Sequence, residues 1–224
     1  MESTSIVETV PNFEKNMVVP LLDGMRYRSS SRHINLPDMF EELITPYLYY
    51  RIIKIDHITK RTVSLRGGLT LNSPILAKVM KNCEYAVCFI ATIGSDVEGE
   101  ITRLSEENHL SYAYMLDTMG STVIENMVDN FHKSMGKRYW AKGGRSTLRF
   151  SPGYCDWDIS EQEKLFRALD SNHLDVELTD SCLMQPRKSI SGIFGVLSSS
   201  IDPSAPPYNP CSQCKKKNCP SRRN

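Results

Sequence analysis

An α+β fold is predicted by three features of the chain. A helical apolar stripe runs from about His109 to Met135, an unbroken apolar stretch covers Glu84 to Thr92, and Tyr49 to Ile58 is rich in isoleucine and tyrosine. The expected architecture is a single domain, a long central helix packed on a mixed or antiparallel sheet, followed by a short cysteine-containing C-terminal tail. The 224 residues suffice for one large domain or two small ones. The folded unit is expected over 17–197, after a polar and poorly ordered 1–16 and before a linker and tail over 198–224.

Each element has a local reason. Ser29 to Ser31 mark a loop, and Pro37 to Leu48 reads as a helix on the loose periodicity of Met39, Leu43 and Leu48. Tyr49 to Ile58 reads as a strand. Ser73 and Pro74 open a helix, serine as cap and proline in the first position, with Ile75, Leu76, Val79 and Met80 as its apolar face. Glu84 to Thr92 reads as a strand covered on both faces. Ser95 with Glu98, and Ser160 with Glu163, have capping-box spacing.

In the long helix, Leu116, Met119, Val123, Met127 and Phe131 form one stripe, and Gly136 is a natural stop. Residues 137–148 read as a basic, glycine-containing loop, and Val176 to Leu178 and Ser189 to Leu197 as strands. Residues 198–210 hold four prolines and four serines and read as a linker.

Composition excludes several classes. A formal charge of +1 offers no field for nucleic acid or an anionic membrane. No apolar run approaches the ~20 residues that span a bilayer, and the N-terminus lacks the basic and apolar regions of a secretory signal. Seven cysteines, without framework spacing before residue 211, read as reduced thiols of a cytoplasmic protein.

The densest chemical signal is Arg149-Phe-Ser-Pro-Gly-Tyr154. Pro152 fixes its φ, and Gly153 lets the backbone turn sharply close to a ligand. Arg149 offers a planar fork of donors suited to a carboxylate. Such a segment suits a small zwitterion that carries a carboxylate and a flat ring; an ordinary surface turn with an incidental arginine fits the hexapeptide as well.

The hexapeptide resembles the Arg-x-x-Pro-Gly-Tyr signature of the activation domain of cobalamin-dependent methionine synthase. Asp117 to His132 is similar to that family's long helix, Glu161 to Leu169 to the helix after the motif, and Leu178 to Gly192 to its Ser-x-Ser-Gly segment. The resemblance covers roughly 85–197. It implies that the protein binds S-adenosylmethionine and supports reductive methylation of a partner's cobalamin. Arg149 then meets the ligand's carboxylate or another acceptor, and Glu125 faces its cationic end. Backbone at Ser151 and Gly153 bonds the ligand, and Tyr154 lies near the corrin, as ligand contact and candidate catalytic side chain. The partners implied are a corrinoid-binding methionine synthase or methyltransferase and a low-potential electron donor. With no room for folate and homocysteine barrels, the chain is expected to act in trans.

The sequence departs from the family in two places. Gly195-Val196-Leu197 runs on where the large synthases carry a tyrosine, and no histidine follows the Pro-Gly-Tyr closely. There is also no Gly-x-Gly-x-x-Gly after a strand, which weighs against a Rossmann-type methyltransferase.

Cys211-x2-Cys214-x4-Cys219 is the second signal. Thiolates at these spacings suit one zinc or an iron–sulfur cluster with an open position; a basic tail with spare thiols is the alternative. Two rival functions therefore stand beside the first: a metal- or cluster-binding electron relay for a corrinoid protein, and an S-adenosylmethionine sensor. Of the weaker candidates, His132, Cys83, Cys88 and Cys182 read as packing residues. Arg187 and Lys188 read as a solvated pair or a contact to an acidic group.

Overall fold

The structure, a computed structural model, describes residues 8–9, 36–139, 145–170, 174–197, 208–213 and 218. Its frame is an antiparallel sheet. The strands are β1 (Glu8–Thr9), β2 (Tyr47–Ile58), β3 (Thr62–Leu65), β4 (Leu69–Asn72), β5 (Cys83–Thr92) and β8 (Ser189–Leu197). Their spatial order is β4-β3-β2-β5-β8, with β1 added to β2. β2 is the hub: residues 47–54 pair with β5, from Tyr47 opposite Thr92 to Lys54 opposite Tyr85, and residues 55–58 pair with β3. β6 (Glu177–Leu178) and β7 (Met184–Gln185) form a separate two-stranded ribbon.

Side-chain alternation along β5 divides the core. Val87, Phe89 and Ala91 face one way, packing with α1 (Leu36–Leu43), α3 (Asp96–Glu106) and α4 (Leu110–Tyr139). Ala86 and Cys88 face the other way, packing with α2 (Pro74–Met80), α5 (Gln162–Ala168) and Trp157. The unbroken apolar run thus has the expected cause, burial on both faces, in a sheet that is antiparallel throughout. All five predicted stripe residues of the long helix are buried. Ser73 caps α2 as expected, its Oγ accepting from Leu76 N at 2.9 Å.

Several expectations need correction. The first helix ends at Leu43 rather than Leu48, because Pro46 disfavours helix in the residue before it. Thr45 N instead donates to Ile93 O at 2.8 Å, and the chain enters β2 at Tyr47. The β3–β4 hairpin was not expected. Its turn is Gly67-Gly68, with φ of 95° and 88°, which only glycine adopts freely.

Gly136 does not stop the long helix, which continues to Tyr139; one interior glycine costs about 1 kcal/mol, within reach of a helix packed along its length. Neither capping box forms. Ser95 is itself helical and makes no side-chain cap, while Glu98 accepts from Lys188 N at 2.9 Å. The second helical entry is capped by Asp158, which accepts from Ser160 N at 2.9 Å. The strand expected over Val176 to Leu178 shortens to Glu177–Leu178, whereas Ser189–Leu197 is as predicted. Residues 1–16 (save Glu8–Thr9), Ser29 to Ser31, 140–144 and 198–207, for which the sequence suggests poorly ordered, loop and linker segments, lie outside the described residues.

Candidate functional site

The motif is carried on the free edge of β8. Ser146 and Phe150 form antiparallel bridges with Val196 and Ile193. Phe150 N donates to Ile193 O at 2.9 Å, and Ile193 N returns a bond to Phe150 O at 2.8 Å. Phe150 turns into the α2/α5 side of the core and stacks on Trp157, ring centroids 5.7 Å apart and planes 5° apart. Alternation then sends Arg149 to the opposite side, where α4 lies. Gly192 permits this close approach: a Cβ there would sit 2.9 Å from the Phe89 ring and 3.0 Å from Phe150 O.

On that side, Arg149 Nη2 lies 2.6 Å from Asp129 Oδ1 and 3.3 Å from Glu125 Oε2. The two carboxylates stand one helical turn apart on α4, the spacing that puts side chains on one face. The Arg149 side chain is 9% exposed, against 63% for Glu125 and 49% for Asp129. A nearly buried guanidinium thus meets two carboxylates that open to solvent. Their formal charges sum to −1, which attracts a ligand of net positive charge.

Beyond Arg149 the chain folds into a tight double turn. Ser151 Oγ donates to Ser191 O at 2.7 Å, and Tyr154 N to Ser151 O at 3.3 Å. Gly153 has φ of 85°, and its N–H donates to Trp157 O at 2.8 Å. The turn leaves the Tyr154 side chain on the surface, 49% exposed. Arg149 thus meets Glu125 and Asp129 on the α4 side of β8, and the turn that carries Ser151, Gly153 and the exposed Tyr154 follows it directly in the chain.

The turn is fastened from behind by two carboxylates that sequence reasoning did not single out. Asp156 accepts from Ser73 Oγ at 2.5 Å and from Ile75 N at 3.1 Å. Glu161, a buried residue, accepts from Asn72 N at 2.9 Å, Asn72 Nδ2 at 3.0 Å and Lys164 Nζ at 2.6 Å. Burial works to raise the Glu161 pKa, yet the bonds from Lys164 and Asn72 outweigh it and hold the carboxyl below its usual value.

The other candidates take structural places. His132 shares a hydrogen bond of 2.9 Å with Ser146 Oγ and packs its ring 4.5 Å from that of Phe194. Lys188 Nζ lies 2.8 Å from Asp117 Oδ1, joining the start of β8 to α4. Arg187 is largely exposed, its Nε 3.8 Å from Glu98 Oε2. Burial pushes the thiols of Cys83 and Cys88 up to about 12. Cys182 is also buried, and Cys155 is exposed.

Cys211 lies within a described 3-10 turn, Pro210–Gln213, but Cys214 and Cys219 lie outside the described residues. Among the described residues, no group of three or more His, Cys, Asp or Glu side chains could hold a metal ion. Among them, no helix is long and apolar enough to cross a membrane.

Comparison with known proteins bears on what this geometry serves. A family model described as vitamin B12 dependent methionine synthase, activation domain, matches residues 59–202, more than half of the chain. The match reaches upstream of the resemblance seen in the sequence and takes in β3, β4 and α2. The solved structure of a MetH reactivation domain bound to AdoHcy has the same fold. It matches with a TM-score of 0.60 and 16% identity, over 84% of this chain and 76% of that one. No curated protein matches the chain.

Proposed function

The chain belongs to the family of vitamin B12-dependent methionine synthase activation domains, and from that membership we propose that it binds S-adenosylmethionine beside Arg149. It presents the methyl group to the corrinoid of a methionine synthase or related methyltransferase acting in trans. The observation that carries this reading is the juxtaposition of Arg149 with Glu125 and Asp129 beside the Pro-Gly-Tyr turn. S-adenosylmethionine has one carboxylate and two cationic centres, its ammonium and sulfonium, so its net charge is opposite to that of the cluster. A guanidinium for the carboxylate and a solvent-facing carboxylate for the cations suit that charge pattern. The MetH reactivation domain of the same fold was solved with AdoHcy, the product of methyl donation.

In the reaction, the bond between sulfonium sulfur and methyl breaks as a bond between the methyl and the partner's reduced cobalt forms, leaving S-adenosylhomocysteine. The chain's share is positioning, which lowers such a barrier by several kcal/mol when the reacting atoms are held in line. Arg149 fixes the ligand's carboxylate end. Glu125 neutralises the cationic end. Backbone at Ser151 and Gly153 is assigned hydrogen bonds to the ligand, a role supported by the absence of a side chain at Gly153. Tyr154, at the exposed rim, meets the corrin side. A low-potential electron donor would supply the one electron that takes the partner's cob(II) to the cob(I) state that accepts the methyl group.

The tail cysteines Cys211, Cys214 and Cys219 are assigned a zinc or iron–sulfur site on their spacing. The free, buried thiols of Cys83, Cys88 and Cys182 support a place in the cytoplasm.

The test mixes the protein with a cob(II)-form corrinoid methionine synthase lacking its own activation domain, and a strong reductant. Methylated corrinoid should form only with both S-adenosylmethionine and this protein present. Tyr154→Ala should slow methylation more than it weakens ligand binding, and Glu125→Gln should weaken binding. Equal methylation without the protein would remove the reactivation role in favour of an S-adenosylmethionine sensor.

A further inference from the structure

The two carboxylates on Arg149 are not equivalent. Asp129 approaches Nη2 at 2.6 Å, the closer of the two contacts, while Glu125 reaches the same nitrogen at 3.3 Å and is the more exposed of the two. The guanidinium they share is nearly buried, so it requires a fixed counter-charge whether or not a ligand is present.

We propose that Asp129 is a positioning residue that holds the Arg149 guanidinium in its binding orientation, while Glu125 is the exchangeable arm that gives way to a ligand's carboxylate. The inference rests on the reading of Arg149 as the ligand's carboxylate contact. Three features of the site argue for it. The Arg149 backbone is pinned by the Phe150–Ile193 bridge, so only the side chain needs orienting. Asp129 stands on α4 one turn beyond Glu125, between Val128 and Phe131, both buried, so its backbone is fixed by the core. Glu125, 63% exposed and at the longer distance, has the weaker hold and the freedom to turn toward a cationic group.

The consequence is a division of labour in specificity. Asp129 touches no ligand atom, yet it sets how strongly the site distinguishes ligands that carry a carboxylate from those that do not. Glu125 sets how strongly it favours a cationic ligand.

Calorimetry with S-adenosylmethionine and with decarboxylated S-adenosylmethionine tests this. The wild type should prefer the carboxylated ligand by roughly ten- to a hundredfold, the factor for a charge-assisted hydrogen bond. Asp129→Asn should reduce that preference to within about threefold of unity, because the carboxylated ligand loses more affinity than the decarboxylated one. Asp129→Glu, which restores the charge, should recover part of the preference. A merely structural role would lower thermal stability or weaken both ligands equally, so an undiminished preference in Asp129→Asn overturns the inference while leaving the S-adenosylmethionine site intact. A wild type that binds both ligands equally, or neither, overturns the inference together with the reading it rests on.

Discussion

Asp156 reaches back 83 residues to Ser73, accepting its hydroxyl at 2.5 Å. Ser73 Oγ in turn accepts the N–H of Leu76 at 2.9 Å, and Asp156 takes that of Ile75. One carboxylate thus completes the cap of α2 and ties it to the turn that carries Gly153 and Tyr154. The Pro-Gly-Tyr turn is therefore held from behind by the β3–β4–α2 region, the part that the family match added upstream.

Removing this tie should loosen both ends. Asp156→Ala should lower unfolding stability by about 1.5–3 kcal/mol, the range for hydrogen bonds to a charged group. Urea unfolding should show a lower midpoint with an unchanged slope. A midpoint equal to wild type would mean that the cap holds without Asp156.

Glu161 gives the fold an acid-sensitive element. Its folded pKa lies below the ordinary 4.5, because the bonds from Lys164 and Asn72 overcome the opposing effect of burial. The folded state then binds this proton less readily than the unfolded chain does. The stabilisation is full above the unfolded pKa and is lost as pH falls through the folded one. Wild-type stability should therefore decline below pH 4.5, and Glu161→Gln, less stable at pH 7, should decline less steeply over the same acid range. Parallel acid profiles for the two proteins would remove Glu161 as a contributor.

Long-range burial was legible in the sequence wherever it covered many residues. The stripe from Leu116 to Phe131 and the run from Glu84 to Thr92 each repeat one instruction over several turns or pleats, so packing could not easily overrule them. Short signals fared worse. Ser95 and Ser160 had capping-box spacing, but Lys188 N took the carboxylate of Glu98, and Asp158 was the better cap at the second site. The β3–β4 hairpin was missed although Gly67-Gly68, flanked by alternating apolar residues, is a turn signal in its own right.

Arg149 and Glu125 were each singled out in the sequence for a separate ligand contact, and the structure pairs them with each other. Asp129 was not singled out in the sequence. Its four-residue spacing from Glu125 was the available clue, but which carboxylate takes the arginine depends on where β8 sits, and no local pattern encodes that.

The tail supplies a separable test. Protein purified without oxygen should carry zinc or iron at roughly one site per chain if the three thiolates wrap one centre. Cys214→Ser should lower that content, and chelation should remove the metal without unfolding the domain. Truncation after Pro210 should abolish metal binding and leave ligand binding unchanged. Metal-free protein after careful preparation would reduce Cys211, Cys214 and Cys219 to spare thiols.

The measurement closest to the central claim is calorimetric titration of S-adenosylmethionine into the wild type and into Arg149→Ala. The wild type should bind one ligand per chain, and the variant should bind more weakly by about 1.5–3 kcal/mol, the loss of a charge-assisted bond. Equal affinities would take Arg149 out of the site, and a wild type that binds no S-adenosylmethionine would contradict the account.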